Sequence, residues 1–246
     1  MTALRHPFFA SPRPLVFAHR GGSALAPENT IEAFDNGLRL GADGLELDVH
    51  LSRDGAVMVH HDRTLDRTTT LAGPIAERTA DELRRANVPA LAEVLARYRD
   101  ARIIIELKVN RVDLAAAAVD VVRRAHAAHR VCFGSFGWRV LHEVRALAPA
   151  VATSAAREEV RWALYRSWVR WPVSRVTYAG YQVPEWAGRT HVVSPWFVDC
   201  AHRAGLGVQV WTVDREDDAR RLLGWGVDAL ITDRPDIIVP LCNRRR

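Results

Sequence analysis

Two histidines in the first quarter of this 246-residue chain stand where predicted strands end. His19 closes the first apolar run, and His61 follows a short apolar run that comes after an Asp-Gly turn. An imidazole, with an ordinary pKa of about 6.5, can accept or donate a proton near neutral pH. The pair therefore predicts general acid–base chemistry, in which we expect His19 to be the base and His61 the acid.

Three acidic residues accompany the histidines. Glu46 and Asp48 are two positions apart in one predicted strand and so share a face, while Glu106 lies near the end of another strand. Three carboxylates in one pocket repel one another unless a cation lies among them. Oxygen ligands favour a hard divalent ion over zinc, so we expect one Mg²⁺ or Ca²⁺ at Glu46, Asp48 and Glu106.

Two basic residues balance this acidic set. Arg20 follows His19 directly, and Lys108 is two residues after Glu106, with which it could alternatively form a simple ion pair. Together with a divalent cation they leave the pocket slightly positive, which suits a singly charged phosphodiester. Its alkoxide leaving group needs a proton, which a second histidine can supply. The attacking group could be water or a neighbouring hydroxyl of the substrate.

The elements that would position these residues alternate regularly between strand and helix. We predict eight barrel strands, at residues 15–18, 44–51, 102–107, 131–135, 151–154, 176–183, 207–213 and 227–232, and a hairpin partner at 56–60. Alternation at this length predicts an α/β fold of the (β/α)₈ TIM-barrel type. We expect a single domain over residues 1–246, with its core at about 14–241. Active sites of such barrels lie at the carboxyl ends of the strands.

Smaller features of the chain carry further expectations. Asn29, with Glu32 three residues later, is the expected N-cap of the first helix, and Glu28 is a candidate partner of the site residues. His60 alternates with His61 and is expected to be structural. Gln182 is a candidate for a polar position on the pocket wall.

Composition places the chain among ordinary soluble globular proteins, with 48% hydrophobic and 26% charged residues. Three cysteines without a CxxC spacing argue against a disulfide framework. The net charge of +5, part of it in the last three arginines, suits a small anionic molecule and predicts no nucleic-acid partner. No signal-peptide pattern and no long apolar run are present, so we expect a cytoplasmic protein without a membrane span. The oligomeric state stays open.

Residues 157–171 interleave tryptophans with arginines. Such a pattern can contact an anionic membrane surface peripherally. The alternative, which we favour from the sequence, is an outer barrel helix that packs some tryptophans on the sheet and leaves its arginines in solvent.

Several stretches together resemble the glycerophosphodiester phosphodiesterase family. They are HRGGSALAPENTIEAF, GADGLELDV, VHHDRTLDRTT, VPALAEVL, IIELK, VQVWTV and GVDALITDRP, and they follow the order of the family. The resemblance implies a TIM barrel that uses Mg²⁺ or Ca²⁺ to hydrolyse glycerophosphodiesters to glycerol 3-phosphate and an alcohol.

The resemblance also assigns roles to individual residues. They are His19 and His61 as catalytic residues, Glu46, Asp48 and Glu106 as metal ligands, and Arg20, Lys108 and Trp211 as substrate contacts. Residues 62–88 look short for the segment that the family often inserts there, which leaves the choice of substrate open. Alternative functions are a lysophospholipase D-like cleavage at a membrane surface and a barrel that binds phosphodiesters without turnover.

Overall fold

Residues 6–243 are described by the structure, a computed structural model, and their main feature is a nearly closed barrel of parallel strands. The strands are β1 (Leu15–His19), β2 (Gly44–Leu51), β3 (Val57–Val59), β4 (Arg102–Leu107), β5 (Val131–Gly134), β6 (Ala152–Thr153), β7 (Gly180–Pro184), β8 (Trp186–Ala187), β9 (Thr190–His191), β10 (Gly207–Trp211) and β11 (Ala229–Thr232). The helices are α1 (Ile31–Arg39), α2 (Ala80–Arg85), α3 (Leu91–Arg97), α4 (Val112–Arg124), α5 (Trp138–Leu147), α6 (Arg157–Trp168), α7 (Pro195–Arg203), α8 (Glu216–Gly224) and α9 (Pro235–Asn243).

The barrel strands follow the order β1-β2-β4-β5-β6-β7-β10-β11, and β11 pairs back with β1. All of these pairings are parallel, and a bridge between Ser154 and Gly180 joins β6 to β7. The predicted single-domain (β/α)₈ barrel is confirmed. The predicted start of the strand at 176–183 is wrong, because the chain is still turning at Arg175, where φ is 53°, and pairing begins at Gly180.

β2 and β4 show why these segments are central strands. Ile103, Ile104 and Ile105 are all at most 1% exposed, since one face of β4 looks into the barrel and the other onto the helices. β3 pairs antiparallel with β2, with Val59 opposite Val49, so the chain turns back beside the mouth of the barrel. This hairpin carries His61 to the mouth.

The amino-terminal end of the barrel is closed by aromatic rings. Phe8 and Phe9 lie below the strands and pack with Phe17 inside the barrel. A Cβ atom on Gly207 would come within 2.6 Å of the Phe9 ring, so only glycine allows this approach. The opposite, carboxyl-terminal end is therefore the open one.

The helices cover the barrel through amphipathic faces. The N-cap of α1 is Thr30, whose Oγ1 accepts a hydrogen bond from the Ala33 N–H at 3.2 Å. The expectation that Asn29 caps this helix is thus wrong, because the Asn29 side chain binds Asp48 instead. Within residues 6–243, no helix is both long enough and apolar enough to cross a membrane.

Candidate active site

A cavity of about 560 Å³ opens at the carboxyl ends of the barrel strands. All of the site residues predicted from the sequence line it, namely His19, Arg20, Glu46, Asp48, His61, Glu106, Lys108 and Trp211. The charged residues lie on β1, β2, β4 and the hairpin after β2, and we call this the ionic side. The opposite wall, formed after β5, β6, β7 and β10, is largely apolar and is the aromatic side.

Strand register brings the three carboxylates of the ionic side together. Glu46 pairs with His19 across β1 and β2, and Asp48 pairs with Glu106 across β2 and β4. Carboxylate oxygens of Glu46, Asp48 and Glu106 lie within 4.8 Å of one another. Glu46 and Asp48 are almost completely buried.

The acidic cluster is short of positive charge. Burial and the neighbouring Asp48 carboxylate raise the pKa of Glu46 to about 8. Asp48 differs because Lys108 and Arg20 outweigh the effect of burial and hold its pKa below the ordinary value. The Lys108 Nζ lies 3.3 Å from Asp48 and 3.2 Å from Glu106. An all-oxygen donor set with an unmet demand for charge fits a hard divalent cation.

His19 is held by a carboxylate at the far end of the chain. Its Nδ1 lies 2.7 Å from Asp233 Oδ1, which leaves Nε2 for the cavity, 3.8 Å from Glu46. Burial lowers the pKa of His19, but the carboxylates of Glu46 and Asp233 outweigh it and raise the pKa to about 9. Asp233 thereby determines which ring nitrogen of His19 is presented.

Asp233 is itself firmly positioned after β11. Its Oδ1 accepts a 2.5 Å hydrogen bond from Ser23 Oγ, and its backbone N–H donates to Asp214 at 2.8 Å. The interpretation of the sequence missed Asp233 as a site residue, although an acidic residue directly after the last barrel strand was a usable signal.

His61 is held by its own neighbours in sequence. Its Nδ1 lies 2.6 Å from the Asp62 carboxylate, and its backbone carbonyl accepts a 3.0 Å hydrogen bond from His50 Nε2. Asp62 in turn accepts from Arg67 at 2.6 Å. His60 points elsewhere, with its ring 3.0 Å from the Thr64 carbonyl, as expected for a structural residue.

A chain of ion pairs links the His61 loop to the acidic cluster. Arg67 donates to Glu28 as well as to Asp62, and Arg20 Nη1 donates to the same Glu28 at 3.0 Å. The Arg20 Nε then lies 3.3 Å from Asp48. Glu28 therefore joins the two arginines, a role that matches its expected position beside the site.

Asn29 acts on the acidic cluster rather than on the helix. It lies in the left-handed region (φ 59°), which turns its side chain inward. Its Nδ2 donates to Asp48 Oδ2 at 2.9 Å, and its Oδ1 accepts from the Asp48 N–H at 3.3 Å. The asparagine thus fixes both the backbone and the carboxylate of Asp48, while Thr30 takes over the cap.

The aromatic side of the cavity is built from rings. The Trp211 and Phe136 rings meet edge to face with centroids 6.0 Å apart, and the Arg157 guanidinium lies 5.1 Å from the centre of the Phe136 ring. Trp186 of the β8–β9 hairpin and Val160 of α6 complete this wall, with Gln182 as a polar residue on it. The cavity therefore joins an anion site to an apolar surface.

Residues 19–237 match the profile of the glycerophosphoryl diester phosphodiesterase family. A glycerophosphodiester phosphodiesterase of Caldanaerobacter subterraneus subsp. tengcongensis is 31% identical over an alignment of 252 positions, gaps included, that covers 94% of this chain and 99% of that protein. Among solved structures, a glycerophosphodiester phosphodiesterase of Agrobacterium tumefaciens is 28% identical, with a TM-score of 0.76 and coverage of 92% of this chain and 99% of that one. An Oleispira antarctica phosphodiesterase in complex with the product sn-glycerol-3-phosphate is 27% identical, with a TM-score of 0.74 and coverage of 94% and 97%.

Proposed function

Because the chain belongs to the glycerophosphoryl diester phosphodiesterase family, we propose that it hydrolyses glycerophosphodiesters to glycerol 3-phosphate and an alcohol. The observation that carries the proposal is the ionic side of the cavity, where two carboxylate-held histidines flank a cluster of three carboxylates. The likeness to the Oleispira antarctica enzyme that binds sn-glycerol-3-phosphate supports the same product here.

The acidic cluster is the proposed metal site, with Glu46, Asp48 and Glu106 as ligands of one Mg²⁺ or Ca²⁺. Such an ion, when bound, withdraws electron density from a phosphoryl oxygen. Arg20 and Lys108 lie beside the cluster and contribute positive charge where the phosphoryl oxygens gain negative charge. Trp211 bounds the cavity across from them and is the proposed apolar contact of the substrate.

The histidines divide the proton transfers between them. His19 Nε2 faces the cavity and accepts the proton of the attacking oxygen, while His61 protonates the departing alkoxide. Although burial lowers the pKa of His19, the carboxylates of Glu46 and Asp233 raise it overall. A cation held by the acidic cluster would weaken the attraction of Glu46 for the His19 proton and so favour the role of His19 as a base. The attacking oxygen is that of water or of the substrate's own glycerol hydroxyl.

Purified full-length protein tests this proposal directly. We expect it to release glycerol 3-phosphate from glycerophosphocholine with Mg²⁺ or Ca²⁺, to stop in EDTA, and to lose about 10³-fold in kcat in each of His19→Ala and His61→Ala. The matched control is His129→Ala, which removes an exposed histidine before β5. Full activity in both site variants, or in EDTA, would refute the mechanism. Substrate binding without turnover would instead identify a non-catalytic phosphodiester-binding barrel.

A second candidate activity is lysophospholipase D-like cleavage, and the aromatic side of the cavity favours it. Phe136, Trp186 and Trp211 offer an apolar wall beside the anion site, which an acyl chain could cover. Release of choline from lysophosphatidylcholine but not from glycerophosphocholine would support this candidate over the first.

We also propose the bounds of the catalytic domain and the cellular location of the protein. We take the whole chain as one catalytic domain with its core at about residues 14–241, and limited proteolysis that leaves one resistant fragment of that size would agree. The cytoplasmic location stays a prediction, to be checked by fractionation of the source cells.

A further inference from the structure

The outward face of α6 and the turn after it expose an unusual set of large side chains. They are Trp162, Tyr165, Trp168, Val169 and Trp171, joined by Trp196 at the start of α7, and together they form the tryptophan patch. Their exposed fractions range from 49% for Tyr165 to 71% for Val169. The sheet-facing positions of α6 are instead the small or aliphatic Ala163, Leu164 and Ser167. The expectation that the tryptophans of this segment pack on the sheet is therefore wrong.

The members of the patch form one surface because arginines connect them. The Arg166 guanidinium lies 5.7 Å from the Trp162 ring centre and 5.2 Å from that of Trp171. Arg170 lies 4.1 Å above Trp196, which ties α6 to α7. Cations stacked on exposed indole rings make a surface that is at once apolar and positive.

The charge of this surface is unbalanced. From 160 to 184 the chain has four arginines and no acidic residue. On other helices some arginines pair with an acidic residue one turn away, as in Arg124 with Asp120 and Arg203 with Asp199. Arg161, Arg166 and Arg170, which lie on α6 or directly after it, form no ion pair with any carboxylate among residues 6–243.

We propose that the tryptophan patch docks the protein onto an anionic phospholipid surface. Tryptophan and tyrosine are the side chains that lie best at the boundary between lipid headgroups and acyl chains. Arginine binds phosphate through two parallel hydrogen bonds, and its aliphatic stem stays in the apolar layer. Val169 is the most exposed member and has no polar group that could bind another partner. Contact with acyl chains would remove its apolar surface from water, which is favourable.

Other occupants fit this surface less well. A second copy related by a two-fold axis would bring the same arginines against each other, where like charges repel. A single-stranded nucleic acid would stack its bases on open ring faces, but Arg166 and Arg170 already cover faces of three of these indoles, and Val169 offers no face to stack on.

The most exposed part of the patch lies away from the mouth of the cavity. Arg157 and Val160, in the first turn of α6, line the aromatic side of the cavity, whereas Trp168, Val169 and Trp171 lie at and beyond the opposite end of this helix. Lipid docking stands independently of the proposed reaction, because it needs no turnover.

Vesicle sedimentation with the full chain tests the proposal. We expect binding to phosphatidylcholine vesicles that contain phosphatidylglycerol, and weaker binding to phosphatidylcholine alone. The double variant Trp168→Ser/Val169→Ser should bind about tenfold more weakly, since two side chains no longer enter the apolar layer. Arg161→Gln should weaken binding roughly fivefold on anionic vesicles only.

The matched control is Trp138→Ala, because Trp138 is 48% exposed on α5 and lies outside the patch. Thermal unfolding at an unchanged midpoint shows that each variant is folded. Equal binding by wild type and the double variant would overturn the proposal, as would an equal loss in Trp138→Ala. A protein that dimerises or binds a single-stranded oligonucleotide through the patch, and does not bind anionic vesicles, would overturn it as well.

Discussion

The ionic side and the aromatic side of the cavity hold their residues in place by different interactions. On the ionic side, specific polar partners hold the site residues, such as Asp233 for His19, Asp62 for His61 and Asn29 for Asp48. On the aromatic side, Phe136, Trp186 and Trp211 depend mainly on ring contacts, and Phe136 and Trp186 remain about half exposed. The ionic side is a network of hydrogen bonds and ion pairs, whereas the aromatic side is a partly exposed apolar wall.

This contrast follows from the cost of burial. A buried charge without a partner is strongly unfavourable, so the ionic side must satisfy every carboxylate and imidazole in one geometry. Burial of apolar area is non-directional, so a substitution on the aromatic side costs mainly the apolar contact area that it removes. We therefore expect single changes on the ionic side to lower kcat for every substrate, and changes on the aromatic side to shift which substrates are preferred.

The largest effect is expected for Glu46→Gln. It removes a carboxylate from the acidic cluster, and we expect kcat to fall by about 10³-fold, since metal-based charge stabilisation contributes several kcal/mol. Metal affinity measured by calorimetry should fall in parallel. Glu216→Gln, a change at an exposed position of α8, serves as the control and should leave both quantities unaltered. Unchanged metal affinity in Glu46→Gln would contradict the proposed ligand set.

A smaller but distinctive effect is expected for Asp233→Asn. We expect kcat to fall by about 10²-fold with little change in KM, because the amide no longer orients the His19 ring. His19 also loses an attraction that raises its pKa, so the pH profile of kcat should shift to lower pH. Asp62→Asn removes the corresponding carboxylate, which lies beside His61. A profile that shifts only in Asp62→Asn would show that His19 does not depend on Asp233.

Asn29→Ala and Thr30→Ala separate the site from the helix cap. Asn29→Ala leaves the buried Asp48 without two hydrogen bonds, so we expect about 2 kcal/mol less stability and about tenfold lower kcat. Thr30→Ala removes the cap of α1 and should cost about 1 kcal/mol without affecting kcat. Denaturant unfolding and steady-state kinetics measure both. Equal kcat in the two variants would remove Asn29 from the site.

The smallest effect is expected on the aromatic side. Trp186→Ala should raise KM for lysophosphatidylcholine about fivefold and leave glycerophosphocholine nearly unaffected, because only an acyl chain covers this ring. Comparison of the two KM values tests the division between the sides. A similar loss for both substrates would place Trp186 in the general architecture of the mouth instead.

The sequence predicted the barrel because the alternation of strands and helices repeats along the whole chain. It predicted the ionic side because His19, Glu46 and Asp48 stand at the ends of apolar strands, where parallel strands present them together. The exchange of roles between Asn29 and Thr30 was not predictable in this way. In the sequence, both Asn29 and Thr30 are suitable N-cap residues. Only the backbone φ of 59° at Asn29 turns its side chain inward, toward Asp48.

Two features were decided by tertiary structure alone. The acidic residue after β11 is visible in the sequence, but its contact with His19, 214 residues away, exists because β11 closes the barrel beside β1. The exposure of Trp162, Trp168 and Trp171 likewise depends on which face of α6 the barrel covers. The sequence predicted which ionisable groups line the cavity, since residue types and strand periodicity are local properties. Chain closure decided which carboxylate orients His19, and helix packing decided which tryptophans meet solvent.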